Sequence, residues 1–386
     1  MKNKVYIVKC PDYGRAEEKL EELINMMGGI GAFAAPDEKI VFKVNLLRPA
    51  KPEEAVSTHP AVVAALGKMI RKQDAKALIA ESPGSGYQYN QKTLENVYRT
   101  CGMTDAAEAA NIDLNFDTTH QTVSHPEGGL IKRFEVITPV LKADGVFNLC
   151  KLKTHIFMHM TGAVKNNFGV IPGLTKPGYH AKLHDTGLFA GMLLDLAEYV
   201  SPRLSIMDAV VGMEGEGPGA GEPRQVGLLL ASESPLALDV VASEIIGLKR
   251  HNNPVLIEAE KRNIHPNRMD EVEVIGPGIT ELRISDYKFP ATMFEGMGLG
   301  PLPWWQRAMT PFFKDGMSAK PRILKDKCIA CGACHDACPM HVITIVDGKY
   351  ARIDDEKCIR CYCCHEMCPN DAVEIRQGFL YRILNR

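Results

Sequence analysis

Eight cysteines near the C-terminus fall into two runs of one spacing. Cys328, Cys331, Cys334 and Cys338 precede Pro339, and Cys358, Cys361, Cys364 and Cys368 precede Pro369. Each run reads C-x2-C-x2-C-x3-C-P, and the second is displaced by 30 residues from the first. The same displacement carries Lys327 onto Lys357, His335 onto His365, and Ile343–Thr344–Ile345 onto Val373–Glu374–Ile375, so the segment is an internal duplication. Three thiolates at this spacing wrap a tight loop around one [4Fe–4S] cubane, with backbone N–H groups left to face its sulfurs. The fourth lies a turn further on and reaches the neighbouring cubane. The spacing predicts two clusters with crossed ligands: Cys328, Cys331, Cys334 and Cys368 for the first, and Cys358, Cys361, Cys364 and Cys338 for the second. Structural zinc usually separates two C-x2-C pairs by a longer spacer, and a disulfide framework needs an oxidising compartment. Cys363 breaks the register and is expected not to be a ligand, which leaves redox sensing as its other use. Tyr362 replaces Gly332 of the first run, so the second cluster is expected to differ in solvent access and potential.

A second stretch gathers positive and titratable side chains. Lys151 to His184 holds five lysines and four histidines and no Asp or Glu. Such a cluster needs something negative nearby, either a distant acidic segment such as Met213–Glu216 or a bound anion. His155 and His159 are four apart, as are His180 and His184. On a helix each pair would share a face and could chelate a metal. Pro172, Gly173, Pro177 and Gly178 predict an irregular backbone instead, with histidines that only hydrogen-bond. Two glycine-rich loops compete as ligand cradles. Gly84–Ser85–Gly86 follows a strand-like segment but lacks the full dinucleotide fingerprint. Gly215 to Gly221 carries acids and a proline, and reads as a turn or lid rather than a phosphate cradle.

These residues need a scaffold, and the chain supplies an alternation of strands and helices. Strand-like segments are Lys4–Lys9, Lys39–Leu46, Ala75–Ala80, Leu204–Met207 and Val226–Ala231. Helical patterns cover Arg15–Met27, Pro60–Arg71, Thr93–Cys101, Leu188–Val200 and Leu236–Leu248, the last opened by Ser234–Pro235. The expected architecture is an α/β large domain over residues 1–295, a linker over 296–320, a small α+β ferredoxin-like domain over 321–377 and a tail over 378–386. The linker is rich in Gly, Pro and aromatics. Trp304, Trp305, Phe312 and Phe313 are expected to pack between the domains, with a docking patch as the sharper alternative. A net charge of −2 and a pI near 6.6 argue against nucleic acid as a partner. No apolar run is long enough for a transmembrane segment. Twelve cysteines without a secretory signal suggest a reducing, cytoplasmic compartment.

Over about 50 residues the cysteine segment resembles the bacterial-type two-cluster ferredoxins. The whole chain resembles the domain of unknown function 362 family, in its form with a C-terminal ferredoxin. The segments that carry the likeness are KVNLLRPAKPEEAVSTHP, KLKTHIFMHMTGAVKNNFGVIPG, MDAVVGMEGEGPGAGEP and CIRCYCCHEMCP. That resemblance implies an iron–sulfur protein and no particular reaction. More distantly, the large domain is similar to the nickel-pincer lactate racemase family, with His155, Lys165 and His180 in the relation of three of its residues. There the Lys anchors the cofactor, the later His ligates nickel and the earlier His is one of two acid/base groups. Asn45 to Pro49 looks like the segment whose Asp and Arg orient the catalytic and substrate groups, with Asn45 in place of the Asp and Arg48 kept. Glu81 to Gly86 stand where the racemases carry their second catalytic His, which argues against two-base racemisation and the pincer cofactor.

The combined expectation is an oxidoreductase whose two [4Fe–4S] clusters feed electrons to a cleft in the α/β domain. Lys165, His155 and His180 are the candidate catalytic groups; Arg48, Asn45 and Asn166 are candidates for binding a small anionic ligand. A further unidentified ligand or metal in the cleft is possible on this pattern. A redox partner protein or small electron carrier is the implied partner. The alternatives are an electron-carrier or docking subunit without its own chemistry, and a cluster- or metal-handling accessory protein.

Overall fold

Alternation along the first strand sets the architecture. In β1 (Lys4–Lys9), Tyr6 and Val8 join one core while Val5 and Ile7 join another. A strand with period-two side chains does this when both sheet faces are covered. The computed structural model describes residues 3–293 and 319–377. The expected tail, most of the expected linker and its four aromatic residues lie outside the described residues.

β2 (Lys39–Lys43), β3 (Lys76–Ala80) and β4 (Asp113–Leu114) follow, then a separate antiparallel hairpin of β5 (His120–Ser124) and β6 (Arg133–Ile137). Next come β7 (Gly145–His155), β8 (His159–Met160), β9 (Leu204–Glu214), β10 (Glu222–Ser232) and β11 (Glu273–Ile275). One sheet runs in the order β11-β1-β10-β9-β7-β2-β3-β4, with β8 folded back on β7. Along that path β10 alone runs against its neighbours. Helices Ala16–Met26, Pro60–Lys72 and Gln91–Thr100 cover one face through Leu20, Leu66 and Val97. Helices Thr186–Val200 and Pro235–Ile246 cover the other through Phe189, Leu193, Val241 and Ile245. The result is a three-layer α/β domain. Ser234 caps its helix by accepting the Ala237 N–H, with Pro235 at the first position, as the sequence predicts. No described helix is long and apolar enough to cross a membrane.

Two departures from expectation matter for the site. β9 and β10 are 11 residues each and pair far beyond the short apolar cores read from the sequence. The Lys/His stretch is more regular than expected: it begins inside fully buried β7 and continues through helices Gly162–Asn166 and Thr175–Lys182, with Pro172 and Gly173 in an irregular turn between them. Pro177 is the third residue of its helix, where a missing N–H costs nothing.

The tail module repeats itself. β12 (Lys320–Ile323) pairs with β15 (Val373–Arg376), and β13 (Ile343–Val346) pairs with β14 (Tyr350–Ile353), both antiparallel. The expected linker end at 320 therefore already belongs to a strand. Short helices Ala333–Asp336 and Cys363–Glu366 occupy the same place in each half. His335 Nδ1 lies 2.6 Å from the Ile343 carbonyl, and His365 Nδ1 lies 2.6 Å from the Val373 carbonyl. Gly332 and Tyr362 both precede their helices at positive φ, 83° and 62°. The left-handed region disfavours Tyr. Burial of its ring and a 3.0 Å bond from its hydroxyl to the Ala319 carbonyl hold it there.

Candidate functional site

The carboxyl ends of β2, β3 and β7 deliver one set of side chains. Asn45 follows β2, Glu81 and Ser82 follow β3, and Thr161, Lys165 and Asn166 follow β7 after the β8 turn. These residues line a pocket of about 450 Å³ together with Lys176 and His180. Ligands of open parallel sheets bind beyond the carboxyl ends of the strands. One wall comes from far away in sequence: Glu366, from the tail module, closes the same pocket.

Most charges around the pocket are matched. Lys43 Nζ donates to Glu81 Oε2 at 2.6 Å with both side chains buried. Burial pushes the Lys43 ammonium down and the Glu81 carboxyl up, while each holds the other charged. Lys176 donates to the carbonyls of Ser82 and Pro83, each at 2.7 Å, and burial pushes it down to about 7. Lys165 is different: it makes no hydrogen bond or ion pair with any described residue. Burial lowers its ammonium, opposed chiefly by the Glu366 carboxyl. Glu366 is itself raised by burial and drawn back by Lys165.

The pocket also collects polar atoms without partners. Asn45 Oδ1, Thr161 Oγ1, His180 Nδ1 and Glu366 Oε1 are all buried with no hydrogen bond among the described residues. Each such atom costs ~1–3 kcal/mol, so four around one pocket mark a place for a ligand. His180 sits in an aromatic box, stacked 4.5 Å from Phe189 with Phe157 and Phe168 at its edges. Burial there pushes its imidazole down to about 3, so it is neutral.

The predicted site residues divide. Lys165, His180, Asn45 and Asn166 line the pocket. Asn166 is committed: its amide donates to Asn148 Oδ1 at 2.6 Å and its oxygen accepts from Asn45 Nδ2 at 3.0 Å. It therefore positions Asn45. His155 stands behind the wall, accepting the Phe157 N–H at 3.0 Å on Nδ1. Its Nε2 lies 3.2 Å from Glu366 Oε1, off the line of a hydrogen bond. Arg48 is outside the pocket, its fork taken by the Gly219 carbonyl at 2.9 Å and Glu54 at 3.2 Å. The His155/His159 spacing belongs to a β-hairpin, with the two residues paired across it, rather than to a helix. Among the described residues no three His, Cys, Asp or Glu side chains converge to hold a single metal ion.

Two contributors were not read from the sequence. Asp239 accepts the N–H groups of Ala163 and, at 3.0 Å, Val164, and so caps the helix that carries Lys165. An acid set among apolar residues, Leu236 to Val241, was its signal. Glu366 had one too: it is the duplicate of Asp336.

The cysteines of the tail line two further cavities. Cys328, Cys331, Cys334 and Cys368 share one of about 340 Å³, and Cys338, Cys358, Cys361 and Cys364 share one of about 320 Å³. Both are otherwise apolar, with Ile323 and Val373 in the first and Val342 and Tyr362 in the second. Backbone N–H groups of Ala351 and Ala372 point at Cys328 and Cys368 sulfurs at 3.4 and 3.1 Å. An all-thiol donor set, apolar walls and N–H groups aimed at sulfur are what a cubane requires. Cys363 lines neither cavity and is fully buried.

Residues 40–244 match the family model described as Domain of unknown function (DUF362). The chain belongs to that family. Residues 327–372 of this DUF362 protein match the 4Fe-4S dicluster domain, so it is an iron–sulfur protein. Asn45, Lys165 and His180 fall within the DUF362 match, whereas Glu366 falls within the dicluster match. A curated relative, the Thylakoid-associated protein sll1697 of Synechocystis, is 29% identical over 302 residues, spanning 76% of this chain and 89% of its own length. Among solved structures, the lactate racemase apoprotein from Thermoanaerobacterium thermosaccharolyticum aligns at 12% identity and a TM-score of 0.39. That alignment covers 62% of this chain and 56% of the racemase, and it transfers no residue roles.

Proposed function

We propose that this DUF362 protein is an iron–sulfur oxidoreductase that acts on a small ligand in the pocket between its two domains. The observation that carries the proposal is Glu366: a side chain two residues from Cys364 and two from Cys368 forms a wall of the pocket that holds Lys165. Two [4Fe–4S] clusters would be held by Cys328, Cys331, Cys334 and Cys368 and by Cys358, Cys361, Cys364 and Cys338; bound there, they supply one-electron chemistry. Lys165 binds an anionic group of the ligand, since its ammonium makes no hydrogen bond or ion pair with any described residue. Its burial-lowered ammonium also suits it to release a proton at that atom. His180, held neutral, and Thr161 orient the ligand by hydrogen bonds. His155 acts through Glu366 as a positioning residue. The outer face of the module exposes Cys331 and Ile329, the latter 62% accessible, and is the entry for a redox partner or small carrier.

The test uses anaerobically purified protein with both iron and sulfide counted. Lys165→Met should leave cluster content unchanged and abolish any ligand-induced change in the reduced-cluster spectrum. Retention of that change in the variant removes the pocket from the mechanism and leaves an electron carrier.

A further inference from the structure

The pocket's charge balance narrows what it takes. Its titratable lining is Lys165, Lys176, Glu81, Glu366 and the neutral His180, with Lys43 immediately behind. Lys43 and Glu81 cancel one another at 2.6 Å. Lys176 is held by the oxygens of Ser82 and Pro83. Behind the wall, the Lys153 ammonium is held by the Val56 and Pro218 carbonyls, and His155, kept neutral by burial, lies 3.2 Å from Glu366 Oε1. What remains facing the pocket is one cation, Lys165, and one carboxyl, Glu366: the first from the α/β domain, the second from the iron–sulfur module. Neither has a hydrogen bond within the described residues, and Glu366 is 3% exposed. A bare anion would satisfy Lys165 and leave Glu366 facing another negative charge at close quarters in a site largely shielded from water. A bare cation has the converse fault. A hydroxyl can bond to Glu366 but does not compensate its charge.

We propose that the pocket is a zwitterion site, which takes a small molecule bearing an anionic group for Lys165 and a protonated amine for Glu366. The inference rests on the reading of this pocket as the ligand site. A neutral zwitterion adds no net charge to the lining, and its dipole lies along the axis from Lys165 to Glu366. Thr161 Oγ1, Asn45 Oδ1 and His180 Nδ1 line the same pocket as further hydrogen-bonding groups. Each half of the ligand would thus be recognised by a different domain, and the amine end would sit against the segment between Cys364 and Cys368.

Glycine, glycolate and acetate share a carboxylate and differ at the second position, so they test this directly. Anaerobic calorimetry on the full-length iron-loaded protein should show glycine binding about tenfold more tightly than glycolate or acetate. Lys165→Met should weaken all three. Glu366→Gln, with iron content as the folding control, should erase the preference for glycine while sparing glycolate. Should that variant lose its clusters, the wild-type ranking alone decides. Equal binding of acetate and glycine overturns the zwitterion and leaves the pocket an anion site. No binding by any of the three overturns both the zwitterion and the pocket's role.

Discussion

The two halves of the duplicated tail share a backbone plan and differ in what faces them. In the first half Cys331 is exposed, as is Asp336, the duplicate of Glu366. In the second half every residue from Cys361 to Met367 is buried. His335 and His365 set Nδ1 against a strand carbonyl in the same way, but only His365 also places Nε2 3.0 Å from the Glu216 carbonyl of the large domain. Gly84 packs under Met367, Gly86 under Met367 and Ala337 of the first half, and Gly219 under the Glu366 backbone. The glycine-rich loops read as a phosphate cradle and a lid are therefore the floor on which the module docks. Duplication supplied two equivalent cysteine frames, and docking made one of them part of a pocket. The first half keeps an exposed face, with Cys331 and Ile329 at the surface.

If that asymmetry is real, equivalent changes in the two halves must have unequal consequences. The largest difference is expected from Cys361→Ser against Cys331→Ser. Each should reduce iron content, but only Cys361→Ser should also lower hydrogen-exchange protection of residues 81–86 and 161–169, which the docked half covers. Equal protection in the two variants would break the comparison. A smaller effect is expected at the floor. A Cβ on Gly84 would lie 2.7 Å from the Leu47 carbonyl and 3.1 Å from Met367 Sδ, so Gly84→Ala should cost about 1–3 kcal/mol in chemical denaturation. His365→Ala should cost about 1 kcal/mol more than His335→Ala, the value of its second bond. Identical losses would mean that this bond contributes nothing.

The smallest effect separates the pocket from the surface by pH. Burial holds His180 down to about 3 and His59 to about 4, and pushes His155 down as well, against 6.5 for an ordinary histidine. Below that value the unfolded chain binds protons that the folded chain refuses. Stability from these groups is therefore full above about pH 6.5 and falls as the pH drops towards the folded values. For His180 alone the loss between pH 7.5 and 6 is under about 1 kcal/mol. His180→Phe should flatten the pH dependence of the thermal midpoint by that amount, and an unchanged slope would place a charged ring in the aromatic box.

Much of the scaffold was legible because local pattern and fold agreed. Lys4–Lys9 was read to the residue, and Pro60–Lys72 and Pro235–Ile246 began where a proline and a cap said they should. β10 was read too short because its first half is polar and half-exposed, and pairing rather than apolar content keeps it extended; in β9 the buried Asp208 interrupts an apolar run that continues to Met213. Lys165 and His180 were singled out by a racemase-like spacing within a window free of acids, and both line the pocket. Arg48 was singled out by type, yet a carbonyl and a carboxylate close in space had already taken its fork.

The order of the cysteines, the duplication and the alternation of strands and helices were written in the sequence, since each depends on residues within one or two turns of one another. Which half of the duplicate supplies a wall of the pocket, and that Glu366 thereby faces Lys165, only the tertiary structure decided. That contact joins residues about two hundred positions apart. It follows from how Gly84, Gly86, Gly219 and Met367 fit together, a matter of shape that no local spacing encodes.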